Sequence, residues 1–143
     1  EKLEPFLGER GDTKPWDLTD GIDSGNAAKA LLAARRLMNA GERHPLQIMA
    51  QLHGHYSRLA KLDVADVPTL AEAEALLGAK GFAAEKALRT FRSLTGAGVR
   101  RAFELLAAAD LDLRGSTGLE EDVVMDVLIA RLAKLNGVVS QRR

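Results

Sequence analysis

The sequence predicts an all-α domain, and three observations carry that expectation. Only 4% of its 143 residues are aromatic. Ala, Leu, Arg, Lys and Glu, which lose little side-chain freedom in a helix, dominate it, and β-branched runs are almost absent. Its apolar residues recur at spacings of three and four, the period of one helix face. With 46% hydrophobic residues the chain is long enough for one domain with its own core and too short for two ordinary ones. The expected architecture is a single compact bundle of about seven helices, since no self-similar period of roughly 20 to 50 residues marks a repeat array.

The stretch "EKLEPFLGERGDTKP", residues 1–15, mixes charge with Gly and Pro and reads as a short helical remnant followed by a linker. In "WDLTDGIDSGN", Asp17 is expected to cap a helix of one or two turns, and Ser24 to Asn26 supply a break and a second cap. A helix then runs from about Ala27 to Ala40 on a stripe of Ala30, Leu31, Ala34, Leu37 and Met38, with Gly41 as its stop. Pro45 suits a first helical position, where its missing N–H costs nothing. The helix it opens carries Ile48, Met49, Leu52, Tyr56, Leu59 and Leu62 into the core. Thr69 and Glu72 have capping-box spacing, and Gly78 closes the short helix that follows. After Gly81 the next helix is expected to bury Phe82, Leu88, Phe91 and Leu94, and another runs from about Gly98 to Arg114. Thr117 and Glu120 repeat the capping-box spacing before a last helix with a seam of Met125, Leu128, Leu132 and Leu135. Gly137 is expected to end it, leaving residues 138–143, "VVSQRR", as a frayed tail.

Charge and composition narrow the function classes. Twenty basic and 20 acidic residues cancel, so no net field draws the chain to nucleic acid or to a membrane. The absence of cysteine excludes disulfides, thiolate metal sites and a cysteine nucleophile, and fits a reducing cytoplasm. No run approaches the roughly 18 apolar residues of a membrane span and no signal-peptide pattern opens the chain, so no membrane partner is expected. The chain starts at Glu1, and a piece of a longer polypeptide is the expectation.

His53 and His55 are two apart, which on a helix points them to different faces, and no third ligand accompanies them. Ser24, Ser57, Ser93, Ser116 and Ser140 do not form a Gly-x-Ser-x-Gly elbow. "GAKGF" lacks the hydroxyl, and "TGAG" the lysine, of a phosphate loop. No catalytic residue, cofactor or metal is therefore assigned.

Surface features remain. Lys86, Arg89, Arg92, Arg100 and Arg101, with Arg35 and Arg36, are candidate phosphate contacts, although abundant acids and scarce stacking groups make a solvated face the simpler reading. Leu119, Val123, Val127 and Ala130 lie beside the Met125 seam and leave the last helix apolar on more than one face. Such a helix is either central in the bundle or packed against another subunit. Asp110 stands on the stripe of Val99, Phe103 and Leu106, continued at Leu113, where a leucine is expected. It forms an acid-before-base i, i+4 pair with Arg114, in the last turn before Gly115, where a helix favours a cation. Its stripe position predicts a partly buried carboxylate with a second partner, Lys86 or Arg131.

Taken in order, "WDLTDGIDSGNAAKALLAARRLMNAGERHPLQIMAQLHGHYSRL" resembles the start of the C-terminal helical domain in the delta subunit of bacterial DNA polymerase III. In that family an Asp/Ala-rich turn, a short break, an Ala-Leu helix, a Gly-Glu turn, a proline and an Arg-Leu helix follow one another. Here Trp16 to Gly21, Ser24 to Asn26, Ala30-Leu31, Gly41-Glu42, Pro45 and Arg58-Leu59 correspond to them. The segment "LLGAKGFAAEKALRTFRSLTGAGVRRAFELLAAADLDLRGS" is similar to the family's closing stretch through Phe82, Lys86, Asp110, Arg114 and Gly115. Gly81 departs from the family's proline, and Arg114 from its lysine.

The resemblance, carried by order and spacing, covers residues 16–136. It implies a remnant of the preceding lid domain and linker at 1–15, a collar domain at 16–137 and a tail at 138–143. It further implies a non-catalytic oligomerisation role in the clamp loader during DNA replication, with gamma or tau and delta-prime subunits as partners through the collar. The sliding clamp would be met only through an N-terminal module absent from this chain, DNA only through the complex, and the location would be the nucleoid-associated replisome. The alternative on the residues alone is a helical DNA-binding or adaptor module using Lys86, Arg89, Arg92, Arg100 and Arg101.

Overall fold

The computed structural model describes residues 13–39, 44–64 and 68–141, with side chains as far as Asn136. Expectations for the lid-domain remnant before residue 13 and for Gly41 lie outside the described residues. Among the described residues six helices form the bundle: α1 (Pro15–Asp23), α2 (Ala27–Asn39), α3 (Pro45–Ala60), α4 (Leu70–Leu77), α5 (Phe82–Leu113) and α6 (Glu121–Gln141). Among the described residues there is no strand, so the all-α class stands. α1 packs on α2 and both rest on α6, while α6 also lies along α5, which in turn holds α3 and α4. Leu18 and Ile22 of α1, Leu37 of α2, Leu52, Tyr56 and Leu59 of α3, Leu106 of α5, and Met125, Leu128 and Leu132 of α6 are all buried in this core.

Local chemistry sets most helix starts. α1 begins three residues earlier than an Asp17 cap would place it, because Pro15 takes the first helical position with its φ already fixed. Asp17 therefore is not the N-cap; from the third position its Oδ2 accepts the Lys14 N–H at 2.8 Å. Asn26 caps α2 as expected, its Oδ1 accepting from the Lys29 N–H at 3.0 Å. The α4 capping box closes in both directions, with Glu72 N–H donating to Thr69 Oγ1 at 3.2 Å and Thr69 N–H to Glu72 Oε1 at 2.8 Å. Gly78 ends α4 at φ +67, in the left-handed region. Gly21 is required by packing: a Cβ there would lie 2.7 Å from the backbone nitrogen of Ala30, at a close approach of α1 and α2.

Three further expectations are corrected. Phe82 is 70% exposed instead of buried. The buried stripe of α5 starts at Ala84 and continues through Ala87, Leu88 and Phe91, and a residue two positions before Ala84 faces about 200° away on the helix. The Lys86 ammonium covers its ring, 5.9 Å from the centroid. At the start of α6, Thr117 Oγ1 accepts from Leu119 N–H at 3.4 Å in the preceding turn, and the helix begins after Glu120, so no Thr117–Glu120 box forms. Gly137 does not stop α6, which continues to Gln141. A glycine inside a helix costs only about 1 kcal/mol and ends it only when the chain turns left-handed there. The expected frayed tail is thus helical as far as it is described.

Within α5 the two helices expected on either side of residues 96–98 are separated at a single broken residue, Thr95, at φ 68 and ψ 172. That region is essentially reserved for glycine, and a β-branched residue held there costs about 1–3 kcal/mol. Leu94 and Val99 are buried on either side of the break. The carboxylate of Asp63 sits so close to Gly96 that a Cβ would meet both of its oxygens at 2.7 Å. Thr95→Gly is expected to stabilise the domain by about 1 kcal/mol, read as a higher urea midpoint at unchanged slope. A lower midpoint would mean that the threonine side chain holds the break together.

Candidate interaction surfaces

Asp110 lies near the end of α5, where the Arg114 Nε–H donates to its Oδ2 at 3.0 Å. The expected second partner is not there. Lys86 pairs with Asp20 of α1, and no bond joins Arg131 to Asp110. Arg131 is exposed on the side of α6 away from its buried seam. The Asp110–Arg114 pair is itself solvent-facing, and such pairs contribute a few tenths of a kcal/mol.

Asp110 instead closes one part of an apolar groove of about 520 Å³ between α3 and α5. α3 lines it with Leu46, Met49, Ala50 and His53, and α5 with Phe103, Leu106, Ala107 and Asp110. Both helices therefore offer positions i, i+3, i+4 and i+7 to the same space. The His53 ring tilts against Phe103 with centroids 5.2 Å apart. Asp110 is the single carboxylate in this lining. Sequence reasoning missed the groove, although its signal was present: a carboxylate on an otherwise apolar stripe marks where the stripe leaves the core.

A second apolar surface runs along α6. Val123 and Val127, one turn apart, are 42% and 40% exposed, Leu119 just before the helix is 50% exposed, and Ala130 is half-buried. These residues face away from the buried seam of Val124, Met125, Leu128 and Leu132. Arg131 and Lys134 are exposed beside them, and Arg35 of α2 reaches across to Asp126.

The candidate DNA-contacting cations are mostly engaged within the fold. Lys86 is paired with Asp20, Arg100 with Asp63 at 3.4 Å and Arg101 with Glu104 at 3.0 Å. Arg92 donates to the Pro68 carbonyl at 3.0 Å. Arg89 lines a shallow cleft of about 460 Å³ together with Glu85 and Ser93, so an acid accompanies it as well.

The histidines also have structural surroundings. His55 Nε2 lies 2.9 Å from Asp23 Oδ1 and ties α3 to α1, and His44 caps α3 by accepting from the Leu46 N–H at 3.1 Å. Among the described residues no group of three His, Asp or Glu is placed to hold a metal ion. Tyr56 is fully buried, and its hydroxyl finds no hydrogen-bond partner among the described residues. Burial, and secondarily the nearby Asp23 carboxylate, push the Tyr56 phenol well above its ordinary pKa of 10.0. The neutral phenol is the form the fold holds, so this contribution to stability is complete below pH 10 and is lost as pH rises above it. Tyr56→Phe is expected to raise stability at pH 7 by about 1 kcal/mol, since an unpaired buried hydroxyl is removed, and to flatten the alkaline loss. Urea denaturation of both proteins at pH 7 and above pH 10 checks this; a less stable phenylalanine variant would reveal a hydroxyl that is satisfied.

Among the described residues, fold and surfaces together define a helical bundle that presents apolar surface at the α3/α5 groove and along the outer face of α6. Comparison of the chain with protein-family models, curated proteins and solved structures found no match. Among the described residues no helix is long and apolar enough to cross a membrane.

Proposed function

We propose that the chain is a non-catalytic assembly module, the collar domain of a clamp-loader delta subunit. In this reading it holds delta in a ring with gamma or tau and delta-prime subunits, so that the sliding clamp can be opened and loaded on primed DNA in the replisome. The observation that carries the proposal is the outer face of α6, where Val123 and Val127 stand exposed one turn apart on a helix whose opposite face is already buried, with Leu119 exposed just before its start. A surface of aliphatic residues at helical spacing is what the desolvated centre of a subunit interface is made of. The ordered resemblance over residues 16–136 and the all-helical fold support the same reading. ATP hydrolysis and clamp contact belong, on this view, to modules outside the chain.

Co-purification of the 143-residue chain with gamma and delta-prime subunits tests the proposal, with the sliding clamp as a control expected to stay unbound. The double variant Val123→Asp, Val127→Asp is expected to lose at least about tenfold in association while keeping its helicity and Tm. No association of the unmodified chain rejects the assembly role, and undiminished association of the double variant rejects this face. Tight binding of primed DNA by the isolated chain, with a steep salt dependence, would favour the DNA-binding alternative. The engagement of Lys86, Arg92, Arg100 and Arg101 in internal contacts weighs against it.

A further inference from the structure

The groove between α3 and α5 is separate from the outer face of α6 and is not used by the proposal above. We propose that it receives an amphipathic helix of a neighbouring subunit, one that places an arginine or lysine opposite Asp110. The inference rests on the assembly reading, and it adds the second, different surface that a ring subunit needs when contacts run head to tail.

Three observations point to this occupant. The groove is walled by two helices that each present i, i+3, i+4 and i+7 positions, Leu46 to His53 on one side and Phe103 to Asp110 on the other. Ridges of a third helix seat between two such rows. The lined stretch runs from i to i+7 on each wall, about 10 Å or two helical turns, which suits three or four anchoring side chains. No strand borders the groove among the described residues, so an extended peptide would lay its backbone N–H and C=O groups on side chains that cannot satisfy them. A helix brings its backbone already paired.

Charge selects among helices. Asp110 is the only carboxylate of the lining; Arg114 holds its Oδ2 at 3.0 Å, and its Oδ1 has no bond among the described residues. A carboxylate at the edge of an apolar slot attracts a cation and repels an acid, which gives register and selectivity. The rival occupant is a second copy of the chain, because α6 exposes Val123 and Val127 with Arg131 one turn further on.

The test uses two labelled helical peptides with leucines at relative positions 0, 3, 4 and 7, one bearing arginine and the other glutamate at the position that meets Asp110. Fluorescence anisotropy with the 143-residue chain is expected to show the arginine peptide binding at least about tenfold more tightly. Asp110→Asn is expected to remove most of that preference. Ala107→Glu, at an exposed position of the groove wall, is expected to abolish binding of both peptides without a change in Tm, and to weaken co-purification with the gamma and delta-prime subunits. Absence of saturable binding, equal binding of the two peptides, or indifference to Ala107→Glu overturns the inference. So does self-association, seen by sedimentation, that Ala107→Glu removes, since a second copy would then be the occupant. Peptide failure alongside association that still depends on Val123 and Val127 overturns the groove inference alone. Loss of association alongside intact peptide binding overturns the assembly reading, and with it the neighbouring-subunit origin of the helix.

Discussion

Leu128→Asp is expected to abolish cooperative unfolding of the domain, leaving a chain without a thermal transition by circular dichroism. Leu128 is 2% exposed, in the α6 seam that packs on α5, α2 and α1. Removing a buried leucine side chain costs about 2–5 kcal/mol through lost burial and the cavity left behind. An aspartate in its place adds a carboxylate with no cation in the seam, a penalty of several kcal/mol more. The sum rivals the about 5–15 kcal/mol that holds an ordinary domain together. Val127→Asp, one residue earlier, points outward and should move Tm by no more than a few degrees. A Leu128→Asp protein that melts near the parent temperature would mean that α6 rolls to expose this face.

Alanine in place of glycine is expected to have opposite signs in two helices of the same bundle. At Gly21 a new Cβ meets backbone atoms of Ala30, the nitrogen at 2.7 Å and the Cα at 2.9 Å. Backbone cannot swing aside as a side-chain tip does, so α1 and α2 must separate, and overpacking of this kind costs about 1–3 kcal/mol. At Gly54, in the middle of α3, a Cβ meets nothing within 4 Å. There the gain in helix propensity should stabilise by about 0.5–1 kcal/mol. Urea midpoints of Gly21→Ala and Gly54→Ala should fall on opposite sides of the parent protein. If both rise, the α1/α2 contact is looser than 2.7 Å implies.

The features legible in the sequence are those decided by a few neighbouring residues. Pro45, the Thr69–Glu72 pair, the Asn26 cap and the Met125–Leu128–Leu132 seam act through contacts within a turn or two, so their spacing is sufficient to place them. Phe82 shows where this ends: hydrophobicity says bury, but the angular position relative to Ala84 and Leu88 decides, and that depends on which side of α5 the other helices occupy. Thr95 is a harder case, because nothing about Thr-Gly-Ala-Gly announces that the strained residue is the threonine and not a neighbouring glycine. Partners far apart in the chain were least legible. Lys86 is expected beside Asp110, and its pairing with Asp20 instead follows from the docking of α1 near the start of α5. The groove follows in the same way from the separation of α3 and α5.

The position of α6 has a consequence for synthesis. α1 and α2 come first in the chain, yet they rest on a helix that begins at Glu121, roughly eighty residues after α2 ends at Asn39. At about 5–20 residues per second, a ribosome needs on the order of 10 s to deliver the missing support. During that interval Leu18, Ile22 and Leu37 lack the cover of α6, and a nascent chain stalled short of α6 would be a ready client for ribosome-associated chaperones.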